Sequence, residues 1–176
     1  MMNNVLKELK YLFKRFVLIA NVMPVIFSFL MAVRYFDENP ADYWQEFILL
    51  FIGSSAVVAG ALTLNNWLEA DIDKLMDRTR HRPTVTGTLS MRNILLLGII
   101  LSLIGLVFLL FVNLEVAIYG FIGWYTYVVV YTIWTKRRYT WNTHVGSLSG
   151  AVTPLMGWAV VGSAVHEIPF TLFLIM

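Results

Sequence analysis

The sequence predicts an all-α membrane protein: a helical bundle with about five complete transmembrane helices and the start of a sixth. Three observations lead there. Of 176 residues, 59% are hydrophobic and only 14% charged, and the mean hydropathy is +0.71. A soluble domain of this size must turn much of its chain toward water and could not hide so much apolar surface. The charges also leave five long gaps, each near the roughly 20 residues (about 17–25) with which a helix crosses hydrocarbon. None of the gaps alternates as a barrel strand would, so helices remain as the way to pair backbone groups in lipid.

The uncharged runs are residues 16–33, 47–68, 93–114, 116–135 and 139–165, and a sixth, 168–176, is too short to cross. Ahead of the first, Val5, Leu6, Leu9, Leu12, Phe13 and Phe16 share one helical face, while Lys7, Lys14 and Arg15 share the other. Residues 1–15 therefore read as an interfacial amphipathic helix leading into the first span. If the spans alternate, twelve of the 13 basic residues fall on one side, with Arg34 the exception. The positive-inside rule then places the N-terminus and the acidic stretch after the second run in the cytoplasm of a multi-pass cell-membrane protein. Asp37, Glu38, Asp42, Glu46, Glu115 and Glu167 fall outside. There is no cysteine, hence no disulfide and no thiolate metal site, and the first residues show no cleavable signal. The principal partner is the lipid bilayer, with no sign of nucleic acid.

The second run ends in "NNWLEADIDKLMDRTRHRPTVTG", residues 65–87. Continued as a helix at about 100° per residue, it places Asn65, Glu69 and Asp73 within roughly 80° of one another and turns Asp71 away. Asn66 falls near the Asp73 edge. Such a stripe of oxygen ligands is either a solvated helix end, ion-paired to Lys74 and Arg78, or a cation site. Without His or Cys, a cation site would favour Mg²⁺ shared with phosphate. Arg78, Arg80 and Arg82 follow at once, and guanidinium forks match phosphate oxygens. Acids for Mg²⁺ beside cations for phosphate describe a diphosphate site. Lys136, Arg137 and Arg138 lie on the same side and add positive charge. Gly146, Ser147, Ser149, Gly150, Ala151 and Gly157 read as a face for close helix packing. Tyr125, Tyr127 and Tyr131 are candidates for lining an apolar channel or stabilising a carbocation, with core packing the plainer role. His144 reads as structural.

The stretch "NNWLEADIDKLMDRTRHRP" resembles the first aspartate-rich motif of the UbiA-type intramembrane prenyltransferases, N-D-x-x-D-x-x-x-D. Asn65, Asn66, Glu69 and Asp73 stand at its four positions, with Asn66 and Glu69 replacing two aspartates. "YTIWTKRRYTWNTHVGSLSGAVTPLMGW", residues 131–158, is similar to the segment joining spans four and five in one branch, the protoheme IX farnesyltransferases or heme O synthases. That branch usually has two prolines where this chain has Thr153 and Pro154.

The resemblance implies one membrane prenyltransferase domain over residues 1–176. It implies farnesyl transfer from farnesyl diphosphate to a vinyl group of heme B, and a heme A synthase-like enzyme acting downstream. Asn65, Glu69 and Asp73 would be the catalytic set that holds Mg²⁺. Asn66, Arg78, Arg82, Lys136 and Arg137 would hold the diphosphate. Family members carry a second acidic motif after span six, so the chain reads as lacking its C-terminal half and is expected to make no heme O alone. Two alternatives stay open: a related prenyltransferase with a quinone or chlorin acceptor, and a non-catalytic fragment or membrane assembly subunit.

Overall fold

The computed structural model describes residues 11–77, 79 and 82–176. Most of the expected N-terminal amphipathic helix, together with Arg78, Arg80 and His81, lies outside the described residues. The described chain is helical throughout, with no strand. In order come α1 (Arg15–Tyr35), a 3₁₀ turn (Pro40–Tyr43), α2 (Trp44–Leu68), α3 (Ala70–Asp73), α4 (Pro83–Thr86), α5 (Met91–Val112) and α6 (Leu114–Tyr125). A π-helical segment (Thr126–Thr135) continues α6, and α7 (Asn142–Ala151), α8 (Thr153–Trp158) and α9 (Glu167–Ile175) complete the order.

Among the described residues, four stretches are long and apolar enough to cross a membrane: Arg15–Tyr35, Pro40–Leu68, Met91–Val112 and Leu114–Thr135. The turns between them carry local signals. Asn39 accepts from the Ala41 N–H at 3.2 Å just before Pro40, and Ser90 accepts from the Asn93 N–H at 3.2 Å to start α5. Gly87, at φ 73°, ends α4. A single extended residue, Asn113, turns α5 into α6 and caps the latter through the Val116 N–H at 2.8 Å. Its amide also donates to the Ala159 carbonyl at 2.7 Å, which ties down the loop before α9.

The fifth uncharged run departs from expectation. Instead of one unbroken helix over residues 139–165 it forms α7 and α8, interrupted at Val152, and then a loop. Pro154 has no N–H to offer the Gly150 carbonyl, and the Thr153 hydroxyl donates to that carbonyl instead, at 2.7 Å. The fourth run departs in its winding. Over 126–135 the bonds reach back five residues, as from the Lys136 N–H to the Tyr131 carbonyl at 2.9 Å.

α2 and α5 form the closest pair, joined by glycines facing glycines. A Cβ on Gly105 would stand 2.5 Å from the Val57 nitrogen and 2.7 Å from the Gly53 carbonyl oxygen, and one on Gly60 would stand 2.9 Å from the Gly98 carbonyl oxygen. Close backbone approach is what joins helices in lipid, where burial of apolar surface offers little. α1 packs on α8 in the same manner, through Gly157 against the backbone of Val25 and Phe29. The main core, with Val25, Phe29, Leu50, Leu109 and Met156, lies toward the Asn113 end of the bundle. A smaller cluster of Ala61, Leu64 and Val128 lies beneath the acidic stretch.

Candidate functional site

α2 ends at Leu68, and Glu69 leaves helical geometry at φ −104°, ψ 8°. The helical register nonetheless carries through, because the Glu69 N–H donates to the Asn65 carbonyl at 3.0 Å and the Asp73 N–H to the Glu69 carbonyl at 2.8 Å. Asn65 and Asn66 are fully buried, and Glu69 and Asp73 are 4% and 3% exposed. Asp71 turns outward.

Each member of the stripe meets a cation. Arg82 Nη1 lies 2.5 Å from Asp73 Oδ2, and the Thr79 hydroxyl holds the Asp73 carbonyl at 2.9 Å. Lys136 Nζ lies 2.5 Å from Glu69 Oε1, a Coulombic contact off the hydrogen-bonding direction, and also sits 5.2 Å above the Tyr131 ring. Lys14 Nζ donates to Asn65 Oδ1. Burial, reinforced by Arg82, pulls the Lys14 ammonium down to about 7, with Glu69 opposing. Asn65 is held from its other end too, its amide donating to Thr132 Oγ1 at 3.1 Å while that hydroxyl donates to the Tyr127 carbonyl at 2.8 Å.

Two residues expected at the diphosphate have other partners in the structure. Arg137, expected at a diphosphate, forks onto Asp71 at 2.7 and 3.0 Å and onto the Leu68 carbonyl at 2.9 Å, away from the stripe. That fork holds the Asp71 carboxyl below its usual range. Asn66 donates its amide to the Leu12 carbonyl at 2.6 Å, which leaves Oδ1 buried with no partner. An orphaned acceptor of this kind suits a cation better than an anionic oxygen. Lys14 was expected on a solvated face, and Thr132 drew no notice in the sequence. Lys14 enters the site because the backbone there is left-handed, at φ 44°, which resets the helical phase read from residues 5–16. No three His, Cys, Asp or Glu residues converge as a metal cluster among the described residues. A cation here would rely on amide oxygens beside two carboxylates.

A cavity of about 330 Å³ opens below the stripe, walled by α1, α2, α6, the start of the π-segment, α7 and α8. Ala61 and Leu62 line it one helical turn, about 6 Å, before Asn65 and Asn66. Tyr127 lines it and, through its carbonyl, anchors Thr132, while Tyr125 is exposed and Tyr131 stacks on Tyr127 at 5.4 Å. His144 is exposed. Gly157 packs as expected of the small-residue face, but Gly146, Ser147, Ser149 and Gly150 line the cavity.

Residues 21–176 match the UbiA prenyltransferase family. The chain is 44% identical over 96% of its length to a protein of Oceanobacillus iheyensis named protoheme IX farnesyltransferase, of which it covers 54%. It is likewise 44% identical over 97% of its length to the Bacillus thuringiensis protein of that name, covering 56% of it. The chain thus spans about half the length of these relatives. Among solved structures, a UbiA homologue from Archaeoglobus fulgidus bound to DMAPP and Mg²⁺ superposes with a TM-score of 0.79 at 18% identity. The match covers 94% of this chain and 59% of that one. With the family matched over nearly all of its length and an all-helical, multi-pass membrane fold shared with a solved homologue, this chain belongs to the UbiA prenyltransferase family.

Proposed function

We propose that the chain forms the acidic half of a prenyl diphosphate site and the pocket for its prenyl chain, in an enzyme that transfers farnesyl from farnesyl diphosphate to a vinyl group of heme B, giving heme O. The observation that carries this is one juxtaposition: buried oxygen ligands, ringed by Lys14, Arg82 and Lys136, at the head of an apolar cavity. The heme acceptor is supported by the relatives' names.

Mg²⁺ fits the donor set, which is all oxygen and includes the orphaned Asn66 Oδ1. Asn65, Asn66, Glu69 and Asp73 would hold it, and it would neutralise charge on the diphosphate. Arg82, Lys136 and Lys14, with Arg78 as a further candidate, bind diphosphate oxygens and stabilise the charge that collects on the leaving group. Thr132 keeps the Asn65 amide turned so that Oδ1 faces the site. The cavity walls hold the prenyl chain out of water, so the allylic carbon, as its bond to diphosphate breaks, meets the vinyl π bond before it meets solvent; water then discharges the cation left on the former vinyl carbon as a hydroxyl, losing a proton. The Tyr127 ring adds a π face.

The test is titration of the purified chain in lipid nanodiscs with farnesyl diphosphate, with and without Mg²⁺, paired with heme spectra of cells that co-express it with the C-terminal part of a relative. Saturable binding that requires Mg²⁺, and the appearance of heme O, are expected. A prenylated quinone or chlorin in place of heme O would move the acceptor; no binding would sink the site. For orientation, reporters fused after Lys74 and Arg138 are expected to read cytoplasmic and those near Asn39 and Glu115 external. A cytoplasmic signal at Asn39 would reverse the bundle.

A further inference from the structure

The cavity below the acidic stripe is lined by residues that look polar in sequence and are not so in place. Ser147 donates to the His144 carbonyl at 2.8 Å and Ser149 to Gly146 at 2.7 Å within α7, and Thr153 donates across the Val152 break to Gly150 at 2.7 Å. Ser54 does the same to Phe51 at 3.3 Å. Their hydroxyls are spent on backbone, as is the Asn21 amide nitrogen on the Val17 carbonyl at 2.8 Å, so the surface an occupant meets is mostly apolar.

Two glycines in this wall lack the usual reasons for glycine. A Cβ on Gly123 would find only the Ser149 carbonyl oxygen, at 3.5 Å, and one on Gly150 only Asn21 Oδ1, at 3.5 Å, both ordinary contacts. Neither has positive φ. Glycine inside a helix is destabilising relative to alanine, and here no close packing offsets that cost. By contrast, Gly60, Gly105 and Gly157 would each drive a Cβ into backbone. What Gly123 and Gly150 share is the cavity, and what their missing side chains provide is width. Gly123 lies one helical turn from Tyr127, on the side away from the acidic stripe.

We infer that Gly123 and Gly150 determine specificity for the prenyl chain: their bare backbone leaves room for isoprene units beyond the first, and a side chain at either would exclude a C15 chain while sparing a C5 one. The inference rests on the proposed prenyl diphosphate site and names what selects its substrate's length. A side chain at Gly123 projects into the wall about 6 Å below Tyr127, beneath the allylic carbon and clear of the charged head.

The test uses the full chain in nanodiscs and two photoreactive C15 probes, a diazirine-bearing farnesyl diphosphate and the matching uncharged alcohol, with labelled peptides identified by mass spectrometry. Calorimetry with dimethylallyl diphosphate and Mg²⁺ measures the C5 ligand. Both probes are expected to label the cavity walls of the unmodified chain. Gly123→Leu and Gly150→Leu are expected to cut that labelling about tenfold or more and to leave dimethylallyl diphosphate binding within about twofold. Gly123→Ala is expected to melt no lower than the unmodified chain and to label at an intermediate level, which keeps the question decidable if a leucine variant fails to fold. Unchanged C15 labelling in the folded variants, labelling elsewhere, or an equal loss of C5 and C15 binding would overturn the inference. A diphosphate probe that labels no better than the alcohol would refute the diphosphate site, while the alcohol alone still decides the role of the glycines.

Discussion

Asp73→Ala is expected to weaken Mg²⁺-dependent binding of farnesyl diphosphate by about 100-fold or more, while Asp71→Ala leaves it within about twofold. The two carboxylates are separated by one residue and occupy opposite surroundings. Asp73 is 3% exposed, faces Arg82 at 2.5 Å and shares the stripe with Glu69 and Asn65. Removing one partner of a buried charge pair costs about 3–5 kcal/mol, because the other is left without compensation. Asp71 lies in solvent under the Arg137 fork, where screening weakens charge effects. Because Asp73→Ala also strands Arg82, Asp73→Asn serves as the companion: it keeps the volume and an oxygen acceptor and removes only the charge. It is expected to fold and still lose metal-dependent binding. Equal losses in the Asp71 and Asp73 variants, measured by calorimetry on material of matched thermal stability, would show that the stripe is not the binding face.

The second large effect concerns the frame. Gly157→Ala, a single added methyl group, is expected to cost about 3 kcal/mol and to lower the melting midpoint by about 10 °C. A Cβ there would overlap the Val25 carbonyl oxygen and stand 2.8 Å from the Phe29 nitrogen. Those are backbone atoms and cannot rotate aside, so α1 and α8 must part. Parting them loosens Val25, Phe29 and Met156 in the core and stretches the bond from Ser28 Oγ to the Pro154 carbonyl, now 2.6 Å. Gly123→Ala is the matched control, since it makes the same chemical change in a helix with room for it. If both variants melt together, the contact between α1 and α8 does not hold the bundle.

The fold class was legible because lipid leaves few options: long uncharged runs must be helical. The break at Val152 was not, since an uncharged run has no mark for where a helix stops, and Thr153 blunts the effect of Pro154. The outward turn of Asp71 followed from spacing alone, since the backbone bonds between Asn65, Glu69 and Asp73 keep helical register past the irregular Glu69. Lys14 was illegible because its direction depends on a left-handed backbone that pattern reading takes as helical. The pairing of Arg137 with Asp71 was not legible, because charge counts give a side of the membrane and not a partner. The α2–α5 glycines could have been found, since Gly53 and Gly60, like Gly98 and Gly105, repeat at seven residues, two turns of a helix.

The π-segment bears on which changes this protein can absorb. Its bonds span five residues, so Thr132 answers to Tyr127 and Lys136 to Tyr131, and those two pairings reach Asn65 and Glu69. Substitutions along 126–135 leave that spacing alone. Insertion or deletion of one residue would rotate everything after it by about 100° and swing Lys136 off Glu69 with no side chain altered. In this stretch the length of the chain is itself a functional trait, and natural variation should run through its letters while leaving their number unchanged.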